Sequence, residues 1–477
     1  MDHRLGLRSA SELEAVECRL DGTLPAYLDG SLIGNGPADF SVGDDRVEHW
    51  FDGLAALRRF DIDPDAESVS VSLRFLRSAA YEHRKAGAVG LREFGTDPDW
   101  TLLDRLRDIA DPSITDNASI TVDRLADRWL ALTETPNSIE FDPETLETRG
   151  PFRFDDAIAA DDAGGSAHCH YDDGETWGFA THLGRERGYS IWRLPDGATT
   201  REVVTRIDRR RPAYLHSFAL TDRFAVLVES PFRLDPIDVF RGPFLDAFEW
   251  TDRPSKFLVV ERETGDLVAE PEVSPFFVFH HANAFERDGS IVVDLCAFPD
   301  ASVMDAFRLD RLDSAEFRQP VSELRRYRIP TDRRFGSVDF ETIHPGYVEF
   351  PAINYPEYRG RDYRYVYGVG AETDGTDAGF ADRLLKIDVE TGSTVTYDPE
   401  SRFFGEPAFV PDPDGSAEDD GSILAVTLDV AAERSELVVL DAGSFEERAT
   451  ATVPEPLPFG FHGQFVPRNR PYVRGND

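Results

Sequence analysis

One pattern returns seven times along this chain, and it narrows the possible folds more than any other feature. An alternating apolar strand runs into a turn rich in Asp, Pro, Glu, Thr and Gly, and a second strand follows. The copies lie at 57–65 leading to 68–71, 139–148, 191–197 leading to 203–204, 258–268, 324–330 (the weakest), 384–392 and 437–443. Gly and Asp tolerate the positive φ of tight turns, so each copy reads as a β-hairpin. Over 477 residues, seven units give roughly 68 residues each, enough for four strands and their loops. Long helical periodicity is nearly absent. The expected fold is therefore all-β: a seven-bladed β-propeller with a loop and short-helix cap over one face, spanning 1–477 as a single domain.

Two segments break the β pattern. Leu102, Leu103, Leu106 and Ile109 fall on one face of a short helix. Phe240, Phe244, Leu245, Phe248 and Trp250 recur at helical spacing as well. Both are expected as cap insertions, near 90–115 and 232–252. They would form either an apolar rim that touches lipid around a tunnel mouth or ordinary lid packing.

Charge limits the partners. The chain carries 90 acids against 51 bases, a net charge of −39, and only Lys85, Lys256 and Lys386 among those bases are lysines. Acid enrichment with Arg replacing Lys resembles proteins of halophiles, and points to a halophilic archaeal source. At ~1 M salt the screening length is about 3 Å, so such a surface barely repels itself. It offers no basic stripe to release counterions, which excludes nucleic acid as a partner. Cys18, Cys169 and Cys296 have no paired spacing and suggest a reducing compartment. The first 22 residues lack an apolar core, and no run reaches the ~20 apolar residues of a spanning helix. A cytoplasmic protein is expected, with at most peripheral membrane contact.

The histidines carry the chemistry. His3, His49, His83, His182 and His344 stand in polar or mixed surroundings and read as structural or exposed. His168, His216, His280 and His462 stand in apolar or Gly-rich contexts at strand ends. The run at 275–285 is the clearest: Phe276, Phe277, Val278 and Phe279 lead directly into His280. An imidazole there must be neutral and partnered, because a lone buried cation is too costly. On the seven-unit map these four histidines fall in different blades, and inner strands of a propeller converge on its axis. Glu134, Glu349 and Glu406 fall in remaining blades, also in apolar or Gly/Pro settings. A metal-bound imidazole commonly donates its other N–H to such a carboxylate. A metal site and a scaffold of core histidines both satisfy this pattern.

Ordered motifs then carry a resemblance. Asn35-Gly36-Pro37, His49-Trp50-Phe51-Asp52-Gly53, Thr115-Asp116-Asn117, Ala167-His168, Leu215-His216-Ser217-Phe218, Phe279-His280-His281, Glu349-Phe350-Pro351, Gly405-Glu406-Pro407 and Gly460-Phe461-His462-Gly463 follow one another along the chain. In this the sequence resembles the carotenoid cleavage oxygenases over nearly its whole length, and 349–370 looks closer to the animal β-carotene oxygenase and retinoid isomerase branch than to plant enzymes. The resemblance implies a propeller with Fe(2+) on its axis, held by His168, His216, His280 and His462. It also implies that Glu134, Glu349 and Glu406 orient His216, His280 and His462. In the doublets His168/His170 and His280/His281, the family motif points to the first member.

The implied activity is oxidative cleavage of a carotenoid C=C bond by O2, with no acid–base pair beyond the iron centre. Stilbene-cleaving relatives place a Lys just before the first of these glutamates; Thr133 stands here, which favours a polyene. Central cleavage of β-carotene to retinal is the first expectation, in keeping with retinal biosynthesis in a halophile. Apocarotenoid or eccentric cleavage comes next, then stilbene cleavage, and last a non-enzymatic binding propeller. Ile120 falls where some members place a Thr beside an open iron position.

Overall fold

The computed structural model describes residues 2–98, 100–110, 113–158, 163–184, 186–235, 238, 242–470 and 472. Seven antiparallel sheets of four or five strands account for most of it, with three two-stranded ribbons beside them. This is the seven-bladed propeller that the hairpin repeats predict. Each of the seven hairpins lies in the outer half of a blade: Ala55–Asp63 with Ser68–Phe75 in the first and Arg434–Asp441 with Glu447–Val453 in the last. The intervening blades repeat the scheme, as in Arg383–Asp388 paired with Thr394–Tyr397.

The ring is closed by strands from both ends of the chain. Gly463–Pro467 pairs with Gly30–Pro37 and completes the first blade on its inner side. Arg19–Gly22 pairs with Glu447–Val453 and extends the seventh blade on its outer edge. Each terminus thus ties the first blade to the last, so the sheets leave few free edges for unwanted pairing.

Between blades the core is apolar and closely packed. Phe276, Val226, Val259, Ile291 and Tyr327, all buried, join the fourth and fifth blades in one cluster. Phe60, Ile62, Val71, Leu424 and Leu437 do the same at the seam between first and last. The buried strand read at 275–285 is Phe277–Arg287, buried without interruption through Phe285.

Few helices interrupt the strands. Leu102–Ala110 is the expected helix in 90–115. The segment 242–250 corrects the helical reading: a single 3-10 turn, Leu245–Ala247, gives way to the strand Phe248–Trp250. That strand pairs with Phe232–Leu234, and ladder hydrogen bonds outweigh a spacing of aromatics that suits either structure. Phe240 lies outside the described residues. The two segments meet, since Leu245 N–H donates to Phe94 O at 2.8 Å.

Candidate metal centre

Irregularities in the inner strands place the functional side chains. His280 lies where the pairing of Phe277–Arg287 with Ser290–Phe298 slips twice, between Val278 and His281 and again before Asn283. Glu349 lies at a slip between Glu349 and Ala352, and Glu406 at one between Phe404 and Pro407. In the third blade the inner strand is split into Ala163–Gly164 and His170–Asp172, and His168 occupies the break. Bulges re-aim side chains that strict alternation would send to either face. Phe350, beside Glu349, has φ +51°, a rare conformation for an aromatic residue. Local strain of this kind gathers at functional sites.

The four histidines meet. His168, His216, His280 and His462 are all buried, and their ligand nitrogens lie within 4.8 Å of one another. The Nε2 of His216 is 2.9 Å from that of His168 and 3.3 Å from that of His280. The Nε2 of His280 is 3.3 Å from that of His462. The doublet partners point elsewhere: His170 bonds Tyr355 OH and Phe218 O, while His281 Nδ1 bonds Ser217 Oγ at 2.8 Å. His3, His49 and His182 are also buried and apart from this group, with partners at Leu312 O, Met304 O and Ser190 Oγ.

Behind three of the rings stand the three glutamates. His216 Nδ1 donates to Glu134 Oε1 at 2.6 Å, His462 Nδ1 to Glu406 Oε1 at 2.8 Å, and His280 Nδ1 to Glu349. Glu349 and Glu406 belong to inner strands, whereas Glu134 follows the end of Arg128–Leu132, the second strand of its blade. Further donors steady the carboxylates: Phe350 N–H to Glu349 Oε2 at 3.1 Å, Gly463 N–H to Glu406 Oε2 at 3.0 Å, and Tyr214 OH to Glu134 Oε1 at 2.8 Å. Sequence reading missed Tyr214. Its place two residues before His216 in a strand-end run was the available signal.

A metal cation fits this donor set. A carboxylate accepts only, so each of the three rings places its proton on Nδ1 and turns a bare Nε2 lone pair toward the others. Three lone pairs facing one another at such spacing repel unless a positive charge lies between them. Protons are poor candidates: burial lowers His280 to about 4 against the pull of Glu349, and lowers His462 well below the imidazole range. Separations of 2.9–3.3 Å suit nitrogens bound at about 2.1 Å to one ion.

His216, His280 and His462 line a cavity of about 870 Å³ of atom-free space. Its walls are aromatic, with Trp50, Phe51, Phe279, Phe307, Phe350 and Phe461 among them, and Ile120 lies there too. Phe350 packs over His280 and His462 with ring centroids at 5.2 and 5.1 Å. Toward the insertions, Tyr214 packs against Phe94 and Phe248. Such a site can hold a long apolar molecule beside a metal, with few hydrogen bonds to fix it.

Comparison with known proteins agrees with this geometry. A family model described as "Retinal pigment epithelial membrane protein" matches residues 7–467. A carotenoid isomerooxygenase of Galleria mellonella is 32% identical, with 98% of this chain and 97% of that protein covered. The chloroplastic carotenoid cleavage dioxygenase 8 of Arabidopsis thaliana is 33% identical over 95% of this chain and 84% of its own length. The β,β-carotene 15,15'-dioxygenase of Mus musculus is 30% identical, covering 98% and 92%. Identity thus gives the animal enzymes no advantage over the plant one. Among solved structures, cobalt-substituted apocarotenoid oxygenase of Synechocystis superposes with a TM-score of 0.85 at 27% identity, over 98% of both chains.

Proposed function

The chain belongs to the retinal pigment epithelial membrane protein family of carotenoid cleavage oxygenases, and from that membership we propose that it is a non-haem Fe(2+) dioxygenase that cleaves β-carotene centrally to retinal. One observation carries the reading: four buried imidazole nitrogens converge with no carboxylate among them, and three of the rings line an aromatic cavity. His168, His216, His280 and His462 would hold the iron, and Glu134, Glu349 and Glu406 would fix the rings of His216, His280 and His462. Neutral imidazoles leave the ion's charge unquenched and coordination positions open. Ferrous iron bound there would supply the activation of dioxygen that splitting one C=C into two carbonyls requires.

The protein's own part is binding, orientation and exclusion of water. A carotene has no hydrogen-bonding group, so the bond presented for cleavage is set by aromatic contacts along the polyene. Phe51, Phe279 and Phe350 line the cavity with the metal-facing histidines and are the residues we assign to that task. The insertions at 90–115 and 232–252 we read as the cap at the tunnel mouth. Leu103, 67% exposed, would touch the membrane from which so apolar a substrate comes. No helix among the described residues is long and apolar enough to cross a membrane. Cys18 and Cys296, both buried and free of disulfide, agree with a reducing, cytoplasmic setting.

Apocarotenoid cleavage is the second reading, favoured by the close superposition on the Synechocystis apocarotenoid oxygenase. Stilbene cleavage is disfavoured. Thr133 replaces the lysine that would meet a phenolate, and Lys85, Lys256 and Lys386 are paired with Asp39, Glu272 and Asp419. The test is incubation with β-carotene under isotopically labelled dioxygen in high salt, with products read by mass spectrometry. Labelled retinal supports central cleavage. Two unequal aldehydes move the assignment to an eccentric bond, and untouched carotene beside a cleaved stilbene overturns it.

A further inference from the structure

Among the described residues six cationic side chains are buried, and five have partners. Arg84 donates to Asp52 O, Arg201 pairs with Asp156, Arg326 with Asp294, Lys386 with Asp419 and Arg92 with Asp108. Arg58 is the exception. It is 6% exposed, its Nε has no hydrogen-bond partner, and no neighbouring charge acts on it. In a chain with 90 acidic residues, a buried guanidinium left without one calls for an explanation.

The surroundings of Arg58 are built to receive it. Its guanidinium lies against the bare backbone of Gly460, where an added Cβ would stand 2.2 Å from Nη2, and Gly36 leaves similar room at 3.2 Å. It lines a second cavity, of about 580 Å³ of atom-free space, in the seam where the first blade meets the seventh. Thr427 lines the same cavity; its hydroxyl is buried and also has no partner. Glu406 borders it as well, but Oε1 serves His462 and Oε2 serves Gly463. The remaining wall is largely apolar, with Phe60, Val426 and Leu457.

We propose that this seam cavity is a binding site for a small, singly charged anion, a halide or a simple carboxylate, held by the Arg58 guanidinium and the Thr427 hydroxyl. Two donors in an apolar pocket suit a weakly hydrated monovalent ion. A phosphate would bring more oxygens than the pocket has donors to satisfy. Bound there, the anion would neutralise the Arg58 guanidinium and bridge the first and last blades. It would thereby stabilise closure of the ring, by an amount that grows with the logarithm of its concentration above Kd. Burial alone pushes Arg58 down to about 10, consistent with a guanidinium that has no counter-charge of its own.

The test uses the full chain. Crystals soaked in bromide should give one anomalous peak within about 3.5 Å of the Arg58 guanidinium, and a formate soak should tell whether a carboxylate takes the same place. In solution, thermal melting titrated with bromide at constant ionic strength should give a rise that becomes logarithmic in bromide concentration above the Kd. Thr427→Val should weaken the apparent bromide affinity at least tenfold, and Arg58→Met should abolish the rise. Arg58→Met replaces an unpaired buried cation with an apolar side chain of similar length and should fold; Thr427→Val, nearly isosteric, serves if it does not. A cavity holding only water in both soaks, or an identical bromide response in wild type and Thr427→Val, overturns the proposal.

Discussion

The Nε2 atoms of His280 and His462 face each other at 3.3 Å, although each ring has turned its Nδ1 toward a glutamate on its far side. Two neutral rings so oriented present lone pair to lone pair, an arrangement that no protein hydrogen bond relieves. The fold holds them there through pairing slips at His280, Glu349 and Glu406 in three different blades and the strand that closes the ring. The backbone sets where the rings stand, and the glutamates fix which nitrogen faces inward.

Replacing one of the converging rings should remove the metal without unfolding the propeller. His216→Ala is expected to lose bound iron and to reduce cleavage by more than about 100-fold, beyond the 10–100-fold typical of losing a supporting carboxylate. Glu406→Gln should fall within that smaller range and keep measurable iron. His170→Gln should retain its iron, since His170 bonds Tyr355 and Phe218 instead. Elemental analysis of anaerobically purified variants, with circular dichroism to check folding, separates the three. Full iron in His216→Ala would count against the assignment.

Substrate position should depend on the aromatic wall. Phe279 is buried, packs 5.2 Å from the His216 ring and lines the cavity. Phe279→Ala is expected to destabilise the protein by about 3–5 kcal/mol and to replace a single pair of products with a mixture of aldehyde lengths. Chromatography of the products checks this; an unchanged product would mean that the polyene is aligned elsewhere.

Much of this was legible from residue order. The seven hairpins announced themselves because turns demand Gly and Asp, and His280 because it ends an apolar run. Pro351 and Pro407, two and one residues after Glu349 and Glu406, mark where the pairing slips, since proline within a strand signals an irregularity. Other features depend on closure of the ring and leave little local trace. Phe51 and Phe461 come together at 5.4 Å from opposite ends of the chain. Arg58 looks in the sequence like half of an exposed Arg58-Arg59 pair, yet Arg59 reaches Asp61 while Arg58 is buried. The 242–250 segment misled because Phe244 and Phe248 are four apart, and only pairing with Phe232–Leu234 decides between helix and strand.

Stability should fall as pH rises through neutrality because of Glu93. Burial is the chief cause that raises this carboxyl from 4.5 to about 8, with Asp52 adding to it. A folded state that holds its proton more tightly than the unfolded chain is favoured below about 4.5 and loses that advantage up to about 8. Urea unfolding at several pH values should therefore show stability dropping by a few kcal/mol, order of magnitude, across this window. Glu93→Gln should flatten the slope. A slope equal to that of wild type would assign the pH dependence to another group.

The most direct test of the centre is anomalous diffraction at the iron absorption edge from crystals grown without oxygen. One peak at bonding distance from the Nε2 atoms of His168, His216, His280 and His462 is the result expected. A fully folded protein with no peak among these four rings, or with the peak bound by fewer than all of them, would contradict the account.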